Sequence, residues 1–230
     1  MITTPRRAAL AAGIALAIAP HALATTEFLS MDSLPGASGW TYQTSGVTRP
    51  EGVTASVSGG VLTFNTMGSG HQPGGSSIFY GKTITPDWTQ SWLIEADVRL
   101  NAFESFSNFH GVYFGASVLW VGVSPTRLTF PDLTFVAYAP GTNFHTYRFE
   151  VQTNEAWTFY ADNVPLKTGV LGVGSGPLAL RIGDGTGGSN GSASYDAYRF
   201  AQPIPAPGWG VVGLVGYSGF TTTRRRRVAA

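Results

Sequence analysis

The chain contains no cysteine, which excludes a disulfide framework, a thiolate metal centre and a thiol nucleophile. Charge is scarce as well: 12% of the residues are Asp, Glu, Lys or Arg, about half the usual share. The formal net charge is +1. A phosphate-binding face would show as a basic excess, so this balance argues against nucleic acid as a partner. Bulk disorder is excluded by a composition that is 43% hydrophobic and 13% aromatic, and 230 residues suffice for one sizeable core. What the sequence holds in quantity is glycine, with 30 residues, and proline, with 14.

The two ends are unlike the middle. Arg6 and Arg7 precede an apolar stretch over 8–19, Pro20 follows, and Ala22-Leu23-Ala24 forms an Ala-x-Ala site. Residues 1–24 therefore read as a secretory signal peptide removed by signal peptidase, with cleavage set by Ala22 and Ala24. A stretch of about 12 apolar residues is too short to span roughly 30 Å of hydrocarbon. At the other end, Pro205, Ala206 and Pro207 lead into an uncharged segment over 209–220 and then Arg224, Arg225, Arg226 and Arg227. Prolines stop a strand, so the folded domain is expected over 25–202 and a tail over 203–230. Arginines resist translocation and hold such a segment from the cytoplasmic side. The tail resembles the PEP-CTERM sorting signals of Gram-negative-type bacteria, with Ala206 where that family carries an acidic residue. The resemblance implies an exosortase as processing partner and a place at the cell surface or in the extracellular matrix. It also implies a transient transmembrane tether, and Gly210, Gly213, Gly216 and Gly219 would each weaken a permanent helix by about 1 kcal/mol.

Once the ends are set aside, eight basic residues face all 13 acidic ones, so the folded domain carries about −5. Neutral glycans or divalent cations match a mildly acidic exported domain better than polyanions do.

No run between Thr25 and Gln202 keeps helical periodicity for three turns. Alternation dominates instead. Ile94, Ala96, Val98 and Leu100 are apolar while Glu95, Asp97 and Arg99 are charged, the period-two pattern of a half-buried strand. Residues 144–151, 157–161 and 192–200 read the same way, and 61–65, 78–80, 118–123 and 178–182 complete the predicted strands. Glycine- and asparagine-rich breaks recur about every 8 to 12 residues, which predicts an all-β sandwich of ten or more strands. Trp92–Leu100, the pair Phe144–Val151 and Trp157–Leu166, and the closing Ser194–Phe200 resemble the concanavalin A-like lectin/glucanase superfamily in its laminin-G-like forms. That resemblance implies a jelly-roll of two antiparallel sheets whose last strand returns to pair near the first.

Glu95 and Asp97 are the candidate catalytic residues. Two carboxylates at i and i+2 of a strand share one face at roughly 6.5 to 7 Å. Laminarinase-like members of the resembled superfamily build a retaining site from a Glu-x-Asp-x-(x)-Glu strand. Here Arg99, or Leu100 if a bulge intervenes, stands where the acid/base Glu belongs, and Glu104 is too far along. Without a proton donor the reading leans away from an enzyme. The expected function is polysaccharide binding at the envelope or in a biofilm, with a glycoside hydrolase and a ligand-free structural protein as alternatives. Trp88, Trp92, Trp120 and Tyr113 are the candidate rings for stacking on sugars. The loop over 183–191 offers Asp184 and Asn190, with Asp32 or Asp196, for a structural calcium, against the simpler reading of a glycine turn. His145 reads as an edge or turn partner, since no histidine pair has zinc spacing.

Overall fold

In a computed structural model of the chain, the described residues are 25–45, 53–67, 77–105, 112–172, 176–185 and 189–203. The expected signal peptide with Ala22 and Ala24, and the tail residues Pro205, Ala206, Pro207 and 224–227, lie outside them. Among the described residues no helix is long and apolar enough to cross a membrane.

The alternating segments become strands, and further strands join them. In chain order they are β1 (Thr25–Ser30), β2 (Thr41–Ser45), β3 (Thr54–Ser58), β4 (Val61–Asn65), β5 (Ser77–Ile84), β6 (Trp92–Ser105), β7 (Val112–Ala116) and β8 (Trp120–Val123). Then follow β9 (Arg127–Thr129), β10 (Phe135–Ala137), β11 (His145–Val151), β12 (Ala156–Ala161), β13 (Val164–Val170), β14 (Leu178–Asp184) and β15 (Ser189–Gln202). One sheet, A, runs β13-β12-β11-β6-β15-β4-β3 with β1 also on β15; the other, B, runs β10-β9-β8-β7-β14-β5-β2. All pairings are antiparallel, and Thr25 to Ser30 lie opposite Gln202 to Ala197. The jelly-roll of two antiparallel sheets expected from the sequence is thus the observed fold, with the last strand returning to the first.

Hairpin turns follow their residues. Asp162 and Asn163 take φ of 50° and 66°, and Gly59 and Gly60 take 60° and 75°, the paired positive values of the two-residue turn that matches strand twist. Between the sheets the core is largely rings. Phe149 and Phe159 of sheet A lie 4.7 Å apart, Phe130 of the facing sheet meets Phe159 edge-on at 5.2 Å, and Phe114 stacks on Tyr147 at 5.9 Å. Burying each such ring contributes about 1.5–3 kcal/mol.

One departure from strict alternation matters. In β15 the core residues are Ala193 and Tyr195, then Tyr198 and Phe200. A bulge resets the phase: Tyr195 faces Val98 and Ala197 faces Asp97, leaving Asp196 without a ladder partner. Both tyrosines therefore point inward and cross the core. Tyr198 Oη donates to Gly115 O at 2.8 Å, and Tyr195 Oη lies 3.1 Å from Tyr113 O and 3.4 Å from Gly183 O. A second bulge leaves Asn101 unmatched on β6. It falls beyond Arg99, so Arg99 faces outward and Leu100 belongs to the core.

Candidate functional site

The two outer faces of the sandwich differ sharply in chemistry. On sheet A, Glu95 lies opposite Arg148 of β11 and Arg199 of β15. Directly opposite residues project to one face, and both arginines close on the carboxylate. Arg199 Nη2 is 2.9 Å from Glu95 Oε1, and Arg148 Nη1 is 3.6 Å from Oε2. Arg148 also reaches Glu150 at 2.9 Å and stacks on Tyr160 at 4.7 Å. Asp97 accepts from Thr146 Oγ1 at 2.6 Å. Arg99 donates to Asn101 and Ser194 and lies 4.8 Å over Phe144. The two candidate carboxylates do share a face, but it is a ladder of ion pairs and hydrogen bonds. A cation occupies the position where a two-carboxylate mechanism needs its second acid.

Sheet B is built otherwise. The residues of β7 that enter the core are Val112, Phe114 and Ala116, so Tyr113 and Gly115 face outward. By the same parity Phe79 and Gly81 of β5, Arg181 and Gly183 of β14, and Trp120 and Gly122 of β8 face outward. The registers align them into two rows across the sheet. In one, Trp120 faces Gly115, Gly115 faces Arg181 and Arg181 faces Gly81. In the other, Thr129, Gly122, Tyr113, Gly183, Phe79 and Gln43 follow one another, with Phe135 next to Thr129 at the edge. Large side chains thus alternate with glycine in both rows. Tyr113 meets Trp120 and Phe79 edge-on at 6.4 Å each, and the Arg181 guanidinium lies 4.6 Å from the Phe79 centroid. Tyr113 and Phe79 are each 4% exposed, while Trp120 and Arg181 are half-buried. Burial pushes the Tyr113 phenol well above its ordinary range, with Arg181 working in the opposite direction. The phenol is therefore neutral at any ordinary pH.

Of the four candidate rings, this face brings together Tyr113 and Trp120. The other two lie apart from it, and Trp92 needs correcting. Trp92 is 1% exposed and belongs to the core, because it is an inward position of β6. Trp88 packs edge-on against it at 6.1 Å and donates Nε1 to Gly176 O at 3.0 Å. Neither lines a groove beside Glu95. Arg181 and Phe79 were not singled out from sequence, although the alternation Leu178, Leu180, Ile182 already sets Arg181 on the opposite face.

The calcium candidates are placed as follows. Asp184 is 4% exposed and accepts from Thr66 Oγ1 at 2.5 Å. Thr66 also exchanges hydrogen bonds with the backbone of Gly191, the neighbour of buried Asn190. One carboxylate with a hydroxyl and a carbonyl falls far short of the six to eight oxygens calcium takes. Among the described residues no group of three His, Asp or Glu could hold a metal. Asp32 accepts from Ser30, and Asp196 is exposed on the β15 bulge. His145 opens the interior strand β11 and is bonded to Asp162 at 2.6 Å and Pro140 O at 2.5 Å. A cavity of about 290 Å³ opens beside Trp157, Gly169 and Asp132. The Trp157 ring stacks on Phe130 at 6.1 Å and a Cβ at Gly169 would strike it, so both of its faces are covered.

No protein-family model matches the sequence, and no curated protein matches it. Solved structures are similar in fold. The CBM2 module of Lactobacillus casei BL23 phage J-1 evolved Dit superposes with a TM-score of 0.51 at 13% identity, over 79% of this chain and 97% of the module. The cellulose induced protein Cip1 gives 0.50 at 14% identity, over 69% of this chain and 90% of its own. A prokaryotic beta-1,3-1,4-glucanase (lichenase) from a mouse hindgut metagenome gives 0.48 at 16%, over 78% and 100%. The first two share the jelly-roll architecture with this chain.

Proposed function

We propose that the chain is an exported, surface-sorted protein whose β-sandwich binds extracellular polysaccharide without cleaving it, and that the polymer lies across the outer face of sheet B. The reading rests on the row Trp120, Gly115, Arg181. Adjacent strands lie about 4.8 Å apart, so the strands that carry Trp120 and Arg181 are roughly 9.5 Å apart with glycine between them. That spacing suits a sugar ring lying on the indole, with the guanidinium orienting it. The paired state of Glu95 and the cation at Arg99 count against hydrolysis. The fold likeness to a carbohydrate-binding module agrees with this reading. The signal-like and PEP-CTERM-like ends support export and exosortase sorting to the surface of a Gram-negative-type bacterium.

Affinity gel electrophoresis of the full chain through a panel of neutral and acidic polysaccharides tests the binding claim. At least one polymer should retard the protein, Trp120→Ala should weaken that retardation about tenfold, and Glu95→Gln should leave it unchanged. Release of reducing ends that disappears in Glu95→Gln would replace a binding module with a hydrolase. Retardation by no polymer would leave a structural envelope protein. For the tail, deletion of 203–230 should shift the protein between membrane and released fractions, and an unchanged distribution would remove the sorting claim.

A further inference from the structure

The charge on the outer face of sheet B points past its general reading as a glycan site. The domain as a whole is acidic, with 13 carboxylates against eight basic residues between the two ends. Yet the outward positions of the seven strands of this sheet carry Arg127 and Arg181 and no carboxylate. The charged residues of these strands are Arg127, Arg181, Lys82 and Asp184. Lys82 and Asp184 have the parity of the core residues Ile78 and Ile182. Lys82 turns to Glu27 at the sandwich edge, and the Asp184 carboxylate is held by Thr66. On sheet A, by contrast, Glu95 and Glu150 are paired with Arg148 and Arg199, and Asp97 accepts from Thr146.

Arg181 makes no ion pair among the described residues. Its guanidinium is held instead by the Phe79 ring and the neutral Tyr113 hydroxyl. Gly115 and Gly81 stand on either side of it in the row, with the Phe79 ring and the Gln43 side chain against Gly81. A guanidinium pre-oriented by an aromatic ring and a neutral hydroxyl, with no carboxylate paired to it, can take an anionic group in two parallel hydrogen bonds.

We infer that the ligand of this face is an acidic polysaccharide, whose sugar ring lies on Trp120 and whose anionic substituent, a carboxylate or a sulfate ester, is bound by Arg181. The inference rests on the reading of this face as the glycan site and narrows its substrate class. It departs from the whole-domain charge, which favours neutral polymers.

The test is affinity electrophoresis of the full chain in gels containing polygalacturonate, a sulfated galactan, carboxyl-reduced polygalacturonate or laminarin. Retardation is expected with polygalacturonate, the sulfated galactan or both, the two arms telling carboxylate from sulfate, and not with the uncharged polymers. Arg181→Gln should weaken it about tenfold or more, and Arg181→Lys should retain part of it, since charge survives without the fork. Added salt should weaken wild-type binding more than that of Arg181→Gln. Unchanged strand content by circular dichroism shows that both variants fold. Should Gln lower thermal stability through loss of the Phe79 stack, Lys carries the comparison. Retardation by laminarin or the reduced polymer with equal strength, or acidic retardation indifferent to Arg181→Gln, overturns the inference and leaves polysaccharide binding standing. Retardation by none of the four polymers overturns the inference, and retardation by no polymer of the wider panel overturns polysaccharide binding as well.

Discussion

Raising the pH above 10 should unfold the domain cooperatively, well before most exposed tyrosines elsewhere would matter to stability. Burial pushes the phenols of Tyr113, Tyr147, Tyr195 and Tyr198 upward from their ordinary value of 10. In the unfolded chain the same phenols ionise near 10. Below that pH both states hold their protons, and the full stability is present. Above it the unfolded state binds fewer protons than the native one, so stability falls as pH rises. Each phenol contributes about 1.4 kcal/mol per pH unit, and four together roughly 5 kcal/mol per unit. Against a typical total of about 5–15 kcal/mol, the transition should lie roughly one to three units above pH 10. Phenolate absorbance should rise in two stages, the second coinciding with loss of the strand signal in circular dichroism. A single gradual rise with the fold intact would mean that the buried phenols reach water without unfolding. Tyr198→Phe should make the alkaline limb shallower, at an expense of about 1 kcal/mol near neutral pH for the lost bond to Gly115.

These inward tyrosines show how far the fold was legible in sequence. The alternation of β6 is strict from Trp92 to Leu100, and Glu95, Asp97 and Arg99 project to one face as read. In β15 the same rule fails at Asp196, because a bulge has no signature in polarity: Ser194-Tyr195-Asp196-Ala197-Tyr198 looks like one strand seen in a single phase. The short strands β9 and β10, three residues each, carry too few positions for a period to emerge. β7 reads Val112-Tyr113-Phe114-Gly115-Ala116, apolar on both faces, so polarity does not separate its core side from its outer side. That is where the proposed binding face lies. Tyr113 and Trp120 could be named as rings, whereas their union with Arg181 and Phe79 depends on register between strands as distant as β5 and β14. Trp92 was misjudged although its parity with Ile94, Ala96 and Val98 already set it on the apolar face of β6.

The same register ties the site to the core. Gly115 and Gly183 sit on the outer face between Trp120, Arg181, Tyr113 and Phe79, and their carbonyls receive the Tyr198 and Tyr195 hydroxyls from the opposite sheet. The floor of the proposed binding face is therefore fixed from beneath by sheet A. A ligand there would meet a surface already held rigid, which lowers the ordering cost of binding.

Replacing Gly183 by alanine should be among the most destabilising single changes in the domain. Its φ of 149° lies where side chains are rarely tolerated, and a Cβ there would sit 2.5 Å from Ile78 O and 2.7 Å from Phe79 Cα. Both are backbone atoms of β5, paired to β14 through seven residues, so no rotamer change can relieve the overlap. Backbone strain and overpacking each cost about 1–3 kcal/mol, and together about 3–5 kcal/mol is expected. For a domain of this size that lowers Tm by roughly 10 °C or more. Two other glycines separate the contributions. Gly141 has a φ of 63° with nothing within 4 Å of a Cβ, so its alanine variant should lose only about 1 kcal/mol of backbone preference. Gly36 has neither a positive φ nor a neighbour within 4 Å, and alanine there should be neutral or slightly stabilising. Melting of the three variants should follow the order Gly36, Gly141, Gly183 from highest to lowest. If Gly183→Ala melts with Gly141→Ala, the β5–β14 spacing is not what requires glycine, and the close approach of Phe79 to the glycine floor must then be open to adjustment.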